Sequence, residues 1–70
     1  MEVVATAYRH QVDEADMLHA ISWHLAVFAF EGYRIFCGPA LDGVLLEVAV
    51  NDSGQVFHAM ECRKKFLPKG

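Results

Sequence analysis

The chain has 70 residues, and 54% of them are hydrophobic. This length predicts one small domain, which buries only roughly 60% of the surface that its unfolded chain exposes. We therefore expect some apolar surface to contact a partner or a second copy of the chain. Its formal net charge of −3 argues against broad electrostatic binding to nucleic acid. No uninterrupted apolar run approaches the roughly 20 residues of a membrane span, and the first residues lack the basic flank of a signal peptide, so a cytoplasmic location is expected.

The first residues are compatible with two kinds of secondary structure. The segment from Val3 to His10 suits a short helix, but Val3, Val4 and Thr6 are β-branched and suit a strand equally well. We predict a short helix over residues 3–10.

A second helix start is better marked. Asp13 suits the N-cap position, and Glu14 and Asp16 place negative charge on the first turn. These signals predict a helix over residues 14–24. Apolar residues at positions i, i+3 and i+7 give it a core-facing stripe: Leu18, Ile21 and Leu25.

From residue 25 onward the pattern becomes extended. Four predicted strands are separated by turn-rich connections: residues 25–30, 33–37, 44–50 and 55–62. Residues 63–67 can add one helical turn, which Pro68 would stop. The sequence therefore predicts a single α+β domain over residues 1–70, with N-terminal helices packed on an antiparallel β-meander of three to four strands.

Two cysteines, Cys37 and Cys62, lie in strand-like segments without the close spacing of a metal or redox motif. We expect two buried thiols. His58 and Cys62 are roughly 13 Å apart on an extended strand, too far to share a metal ion. Neither a metal site nor a cofactor is predicted.

Register gives one geometric inference. A four-residue hairpin loop over residues 51–54 pairs Val50 with Gln55 and sets Glu47 opposite His58. If residues 39–42 form a similar loop, Arg34 lies opposite Glu47 on its other side. The sequence thus predicts a row of Arg34, Glu47 and His58 across the sheet.

Such a row has the groups that phosphodiester cleavage requires. A histidine moves protons near neutral pH, and an arginine holds the phosphate. The alternative is a solvated, ion-paired sheet face, in which each cross-strand pair contributes about 0.2–1 kcal/mol.

Further cationic residues flank this row. Arg63, Lys64 and Lys65 form a short cluster where the last strand ends, suited to RNA backbone, to an acidic protein, or simply to keeping the chain in solution. Arg9 and His10, just before the helix cap, are a second candidate RNA contact, with a solvated helix end as the alternative.

Several segments resemble one protein family. The stretch RHQVDEAD at residues 9–16 is similar to the basic-His-Gly-Val-Ser-acidic-acidic stretch that begins the main helix of BrnT-like toxins, members of the RelE-like ribonuclease toxin group. Residues 35–48 (IFCGPALDGVLLEV) and 56–67 (VFHAMECRKKFL) look like segments of short toxin-related proteins from actinobacteria and their phages. The resemblance spans about residues 5–67.

This resemblance implies the toxin component of a toxin–antitoxin pair, a metal-independent ribonuclease held by its antitoxin across an apolar surface. In such a protein, Arg34 and Arg63 would steady the phosphate. Glu47 would orient His58, and His58 would transfer the proton.

A second function stays open, a non-catalytic, phage-encoded interaction module or homodimer that binds a host protein. The acidic net charge favours it. So does Met60, which stands where BrnT itself has an arginine at the end of the last strand.

Overall fold

The computed structural model describes residues 1–67. Five strands, numbered in chain order below, form one sheet with the order β1-β5-β4-β3-β2. The elements in chain order are β1 (Glu2–Val3), an N-terminal 3-10 turn (Ala5–Tyr8), α1 (Glu14–Ser22), β2 (Ala26–Phe30), β3 (Tyr33–Pro39), β4 (Leu45–Asn51), β5 (Gln55–Glu61) and a C-terminal 3-10 turn (Lys64–Phe66). The predicted α+β class is confirmed. The predicted stop at Pro68 lies outside the described residues.

The predicted antiparallel meander is present from β2 to β5, because each of these strands pairs antiparallel with the next. Their connections are too short for the crossover that parallel pairing needs. β1, however, pairs parallel with β5, with Val3 aligned to Val56. The sheet is therefore mixed, and the expectation of a purely antiparallel sheet is wrong at this edge.

The short helix predicted over residues 3–10 is wrong in its first part. Val3 belongs to β1, and the Val4 N–H donates to the Val56 carbonyl at 2.9 Å. Only residues 5–8 are helical, as a 3-10 segment. The β-branched valines adopt the strand alternative, and α1 is the one α-helix among residues 1–67.

α1 has 9 residues and packs on one face of the sheet. Asp13 occupies the N-cap position as predicted, and the helix ends at Ser22, two residues before the predicted His24. No helix within residues 1–67 is both long and apolar enough to cross a membrane. The buried core between α1 and the sheet consists of Ala7, Met17, Ala20, Ala40, Leu46, Val48, Val50, Val56 and Ala59.

Gly38 lets α1 approach β3 closely. A Cβ atom at this position would overlap the Ala20 carbonyl and crowd the His24 Cα. Both neighbours are backbone, which cannot move aside as a flexible side chain would. We therefore expect Gly38→Ala to lower the free energy of unfolding by about 1–3 kcal/mol, the usual effect of an overpacked core.

Urea unfolding followed by circular dichroism measures this effect of Gly38→Ala. An unchanged unfolding midpoint would contradict the close contact between α1 and β3.

The opposite face of the sheet, called the second face below, carries a smaller cluster. Ile35, Ala49 and Phe66 are buried there. Phe66 comes from the C-terminal 3-10 turn, and its ring centroid lies 5.4 Å from that of Phe28. Four residues pack against the cluster while partly exposed: Phe28, Tyr33, Phe57 and Cys62. α1 packs on the other face and leaves the second face without a covering α-helix within residues 1–67.

Candidate functional site

Glu47 is the centre of the candidate site. Its side chain is fully buried on the second face of β4, yet both oxygens are satisfied. Arg63 donates three times, from Nε at 3.0 Å, from Nη2 at 2.8 Å and from its backbone N–H at 2.9 Å, and His58 Nε2 approaches at 2.9 Å. Burial raises the pKa of Glu47, but the hydrogen bonds from Arg63 and His58 outweigh it and hold the pKa at about 2. Glu47 is therefore an ionised carboxylate at neutral pH.

The ionised carboxylate fixes the tautomer of the neutral His58 ring. Because Glu47 can only accept hydrogen bonds, His58 Nε2 must carry a hydrogen. Nδ1 is then the nitrogen with the free lone pair whenever the ring is neutral. The His58 side chain is 26% exposed, so it is held on its inner side and open to solvent on its outer side. This arrangement suits a group that takes up and releases protons.

Arg63 lies two residues after the end of β5, immediately before the C-terminal 3-10 turn. Its guanidinium makes a bidentate pair with the Glu47 carboxylate, and this pair fixes the plane of the guanidinium. The side chain is 48% exposed, and its Cζ lies 5.5 Å from the centre of the Phe66 ring. Arg63 therefore combines a fixed orientation with a donor surface that an anion can reach.

His10 meets His58 across the edge of the sheet. The N-terminal 3-10 turn is tied to β5 by Thr6 Oγ1, which donates to the Phe57 carbonyl at 2.8 Å. Gln11 then adopts a φ of 62°, which turns the chain sharply after residue 10. The His10 ring stands edge-on to the His58 ring, with 5.7 Å between centroids.

These side chains border an open cleft of about 460 Å³. One wall is cationic and imidazole-bearing, and the other is aromatic. The lining residues are Thr6, Arg9, His10, Tyr33, Ile35, Ala49, Phe57, His58 and Arg63. A ligand with both phosphate and flat rings matches these two walls.

The predicted contact between Glu47 and His58 is formed, although the pairing differs from the prediction. The connection is three residues rather than four, so Val50 pairs with Val56, and a bulge between Ala49 and Val50 adds a further shift. His58 therefore pairs with Ala49. Each one-residue shift alone would move His58 to the opposite face, but the two together return it to the side of Glu47.

The predicted position of Arg34 is wrong. Arg34 pairs with Val50, and Cys37 is the residue opposite Glu47. The connection before β4 has five residues rather than the predicted four, and Arg34 pairs three residues further along β4 than predicted. Because side chains alternate between the two faces of a strand, a shift by an odd number of residues places Arg34 on the helix-covered face. Arg34 lines a separate cleft with Met1 and Asp52.

The remaining cationic candidates divide into two groups. Arg9 and His10 line the cleft. Lys64 and Lys65 are exposed on the C-terminal 3-10 turn beside it, and Lys65 Nζ lies 5.1 Å from the centre of the Phe66 ring. Four of the residues predicted from the sequence line the cleft: Arg9, His10, His58 and Arg63. A fifth, Glu47, binds His58 and Arg63 beside it. The aromatic wall was not predicted from the sequence.

The two thiols lie close together beneath this site. Cys37 is buried, Cys62 is half-buried, and their sulfur atoms are 3.2 Å apart. Burial and the neighbouring Cys37 raise the pKa of Cys62 to about 12, so Cys62 is a neutral thiol at physiological pH. Within residues 1–67, no group of three or more His, Cys, Asp or Glu side chains is arranged to hold a metal ion.

No protein-family model, curated protein or solved structure matches this chain. The fold and the site define a small α+β domain with a cationic, histidine-bearing cleft on its open sheet face.

Proposed function

We propose that this protein cleaves RNA without a metal ion, as the toxin component of a toxin–antitoxin pair. The observation that carries the proposal is the shared carboxylate: Glu47 holds both His58 and Arg63, at 2.9 Å and 2.8 Å, beside an open cleft. A proton-transfer group and a phosphate-binding cation are thereby fixed relative to each other, which is what phosphodiester chemistry requires.

The reaction begins at the ribose 2′-hydroxyl. His58 Nδ1 accepts the 2′-hydroxyl proton while the 2′-oxygen attacks phosphorus, and Glu47, a positioning residue, stabilises the imidazolium that forms. Arg63 stabilises the extra negative charge on the phosphate oxygens. The bond from phosphorus to the 5′-oxygen breaks, and His10 supplies the proton that this oxygen needs. The products are a 2′,3′-cyclic phosphate and a 5′-hydroxyl.

The net charge of −3 argues against RNA binding by the chain as a whole, but the charges are unevenly distributed. The one carboxylate at the site, Glu47, is buried and already neutralised by Arg63. The groups that face the cleft opening are Arg9, His10, His58 and Arg63, so this face attracts phosphate even though the chain as a whole carries −3.

The backbone at Gln11 also supports the toxin resemblance. Its φ of 62° lies in the left-handed region that favours glycine. Glycine is the residue at this position in the BrnT-like toxins that the sequence resembles. This turn brings His10 to His58, so a glycine-compatible conformation is used at the site itself.

A pair of labelled oligonucleotides tests the reaction. We expect cleavage of a single-stranded RNA, and no cleavage at a position where one nucleotide lacks the 2′-hydroxyl, because that oxygen is the nucleophile. Cleavage should persist with a chelator, since the proposed acid, base and cation are all side chains. Equal cleavage of the deoxy-substituted strand would exclude this mechanism.

The second candidate, a non-catalytic module that binds an antitoxin or a host protein, is favoured by apolar exposure. Trp23, Leu25 and Leu41 are 67%, 64% and 65% exposed, and none of them lines the cleft. Wild-type protein that neither cleaves RNA nor inhibits growth when expressed alone would make this module the better account.

A further inference from the structure

The two edges of the sheet differ in length and in protection. β1 forms one edge with 2 residues, whereas β2 forms the other with 5, Ala26–Phe30. β2 contains no charged residue, no proline and no bulge against β3. These are the features with which proteins normally prevent edge strands from pairing, and β2 lacks each of them.

The backbone of β2 has unpaired groups at alternate residues. The two-residue turn over residues 31–32 closes on Phe30 and Tyr33, which makes them a hydrogen-bonded pair, so the even-numbered residues of β2 direct their N–H and C=O groups to β3. Val27 and Ala29 therefore direct theirs outward. Two donors and two acceptors stand in one row along this edge.

We infer that β2 pairs antiparallel with β2 of a second copy of this chain, about a two-fold axis at Phe28. In this register Phe28 lies opposite Phe28 of the second copy, and Ala26 lies opposite its Phe30. Val27 then lies opposite Ala29 of the second copy in a hydrogen-bonded pair on each side of the axis, so the row of donors and acceptors is satisfied by an identical row. The two sheets become one sheet of ten strands.

The occupant is a second copy because the strand is its own complement. Small Ala26 meets large Phe30 at both ends of the pairing, so the side chains alternate in size without a clash. On the other face Val27 meets Ala29, and neither carries a charge. The rings of Phe28 and Phe30 are already held against Phe66, at centroid distances of 5.4 and 6.3 Å, so little conformational freedom is lost on pairing.

The two-fold axis has a consequence for the clefts. Antiparallel pairing of two sheets about such an axis keeps corresponding faces on the same side. Both second faces therefore point the same way, and α1 of each copy lies on the other side. The pairing itself does not depend on the proposed RNA cleavage.

Val27→Lys tests the pairing without burying the new charge in the monomer, because Val27 is 46% exposed. In the dimer the variant introduces two lysines beside the axis, which we expect to raise the dimer Kd roughly tenfold. Val44→Lys is the matched control: Val44 is 44% exposed and lies outside β2, so its dimer Kd should not change. Sedimentation equilibrium measures both.

The register itself is tested by mixing and by amide exchange. Val27→Lys mixed with Ala29→Glu should form a heterodimer more tightly than either variant forms a homodimer, because the new charges lie opposite each other. In the wild-type dimer, the outward amides of residues 27 and 29 should exchange more slowly than in the Val27→Lys monomer.

Three outcomes would overturn the inference. Wild-type protein could stay monomeric at high micromolar concentration, which would leave this edge to a different partner. A dimer could form equally well with Val27→Lys. Finally, a dimer could leave the Val27 and Ala29 amides in fast exchange, which would locate its interface elsewhere.

Discussion

Replacing His58 by alanine is expected to lower the rate of RNA cleavage by about 10²–10⁴-fold, the usual contribution of a general acid or base. The His58 ring is bound to Glu47 on one side and open to the cleft on the other, so its removal takes away the proton acceptor. Arg63 keeps its hydrogen bonds to Glu47, and the fold should survive. Single-turnover cleavage of a labelled RNA measures the loss.

The control for His58→Ala is His24→Ala. His24 is exposed at the end of α1, with its ring against Phe36 and away from the cleft, and its loss should leave the cleavage rate unchanged. Urea unfolding of both variants shows whether each still folds. A folded His58→Ala variant that cleaves at the wild-type rate would remove His58 from the mechanism.

The sequence was informative about the strands and weak about register and about the helix. Leu25, a member of the predicted core-facing stripe, lies beyond α1 and is 64% exposed, whereas Met17 and Ala20 are the buried residues of the helix.

Period-two alternation and the connections identified the four-stranded meander, and the same-side placement of Glu47 and His58 was predicted. Register depends on loop length, however, and loop length is not determined by hydrophobic pattern. In the hairpin of β4 and β5, the bulge compensated for the shorter loop and kept His58 on the predicted face. In the hairpin of β3 and β4, the pairing differed from the prediction by three residues, which moved Arg34 to the other face.

Two other features were beyond local sequence signals. β1 is only 2 residues long, and its parallel pairing with β5 joins segments more than fifty positions apart. The contact between His10 and His58 depends on a positive φ at Gln11. Glutamine rarely adopts a positive φ, so its presence in the sequence does not predict this turn. Long-range pairing and special backbone angles are therefore where the structure adds most to the site.

The second large effect is expected from Glu47→Gln, which should lower the free energy of unfolding by about 2–3 kcal/mol at neutral pH. Glutamine keeps the volume but replaces one acceptor oxygen by a donor nitrogen, which then faces the donors of Arg63 and His58. Because Glu47 is fully buried, water cannot replace the lost hydrogen bonds. Glu61→Gln, at the exposed end of β5, is the matched control and should change stability by less than about 0.5 kcal/mol.

The pH dependence of the Glu47→Gln effect identifies its cause. The pKa of Glu47 is about 2 in the folded protein and 4.5 in its ordinary state, so between these values the unfolded chain binds the proton more readily. Wild-type stability from this ionisation is therefore complete above pH 4.5 and is lost as the pH falls toward about 2. Urea unfolding at neutral pH and again between the two pKa values should show the gap between wild type and variant narrowing in acid. A gap that stays constant would mean that Glu47 stabilises the fold by packing alone, and that its charge does not hold His58 and Arg63 in place.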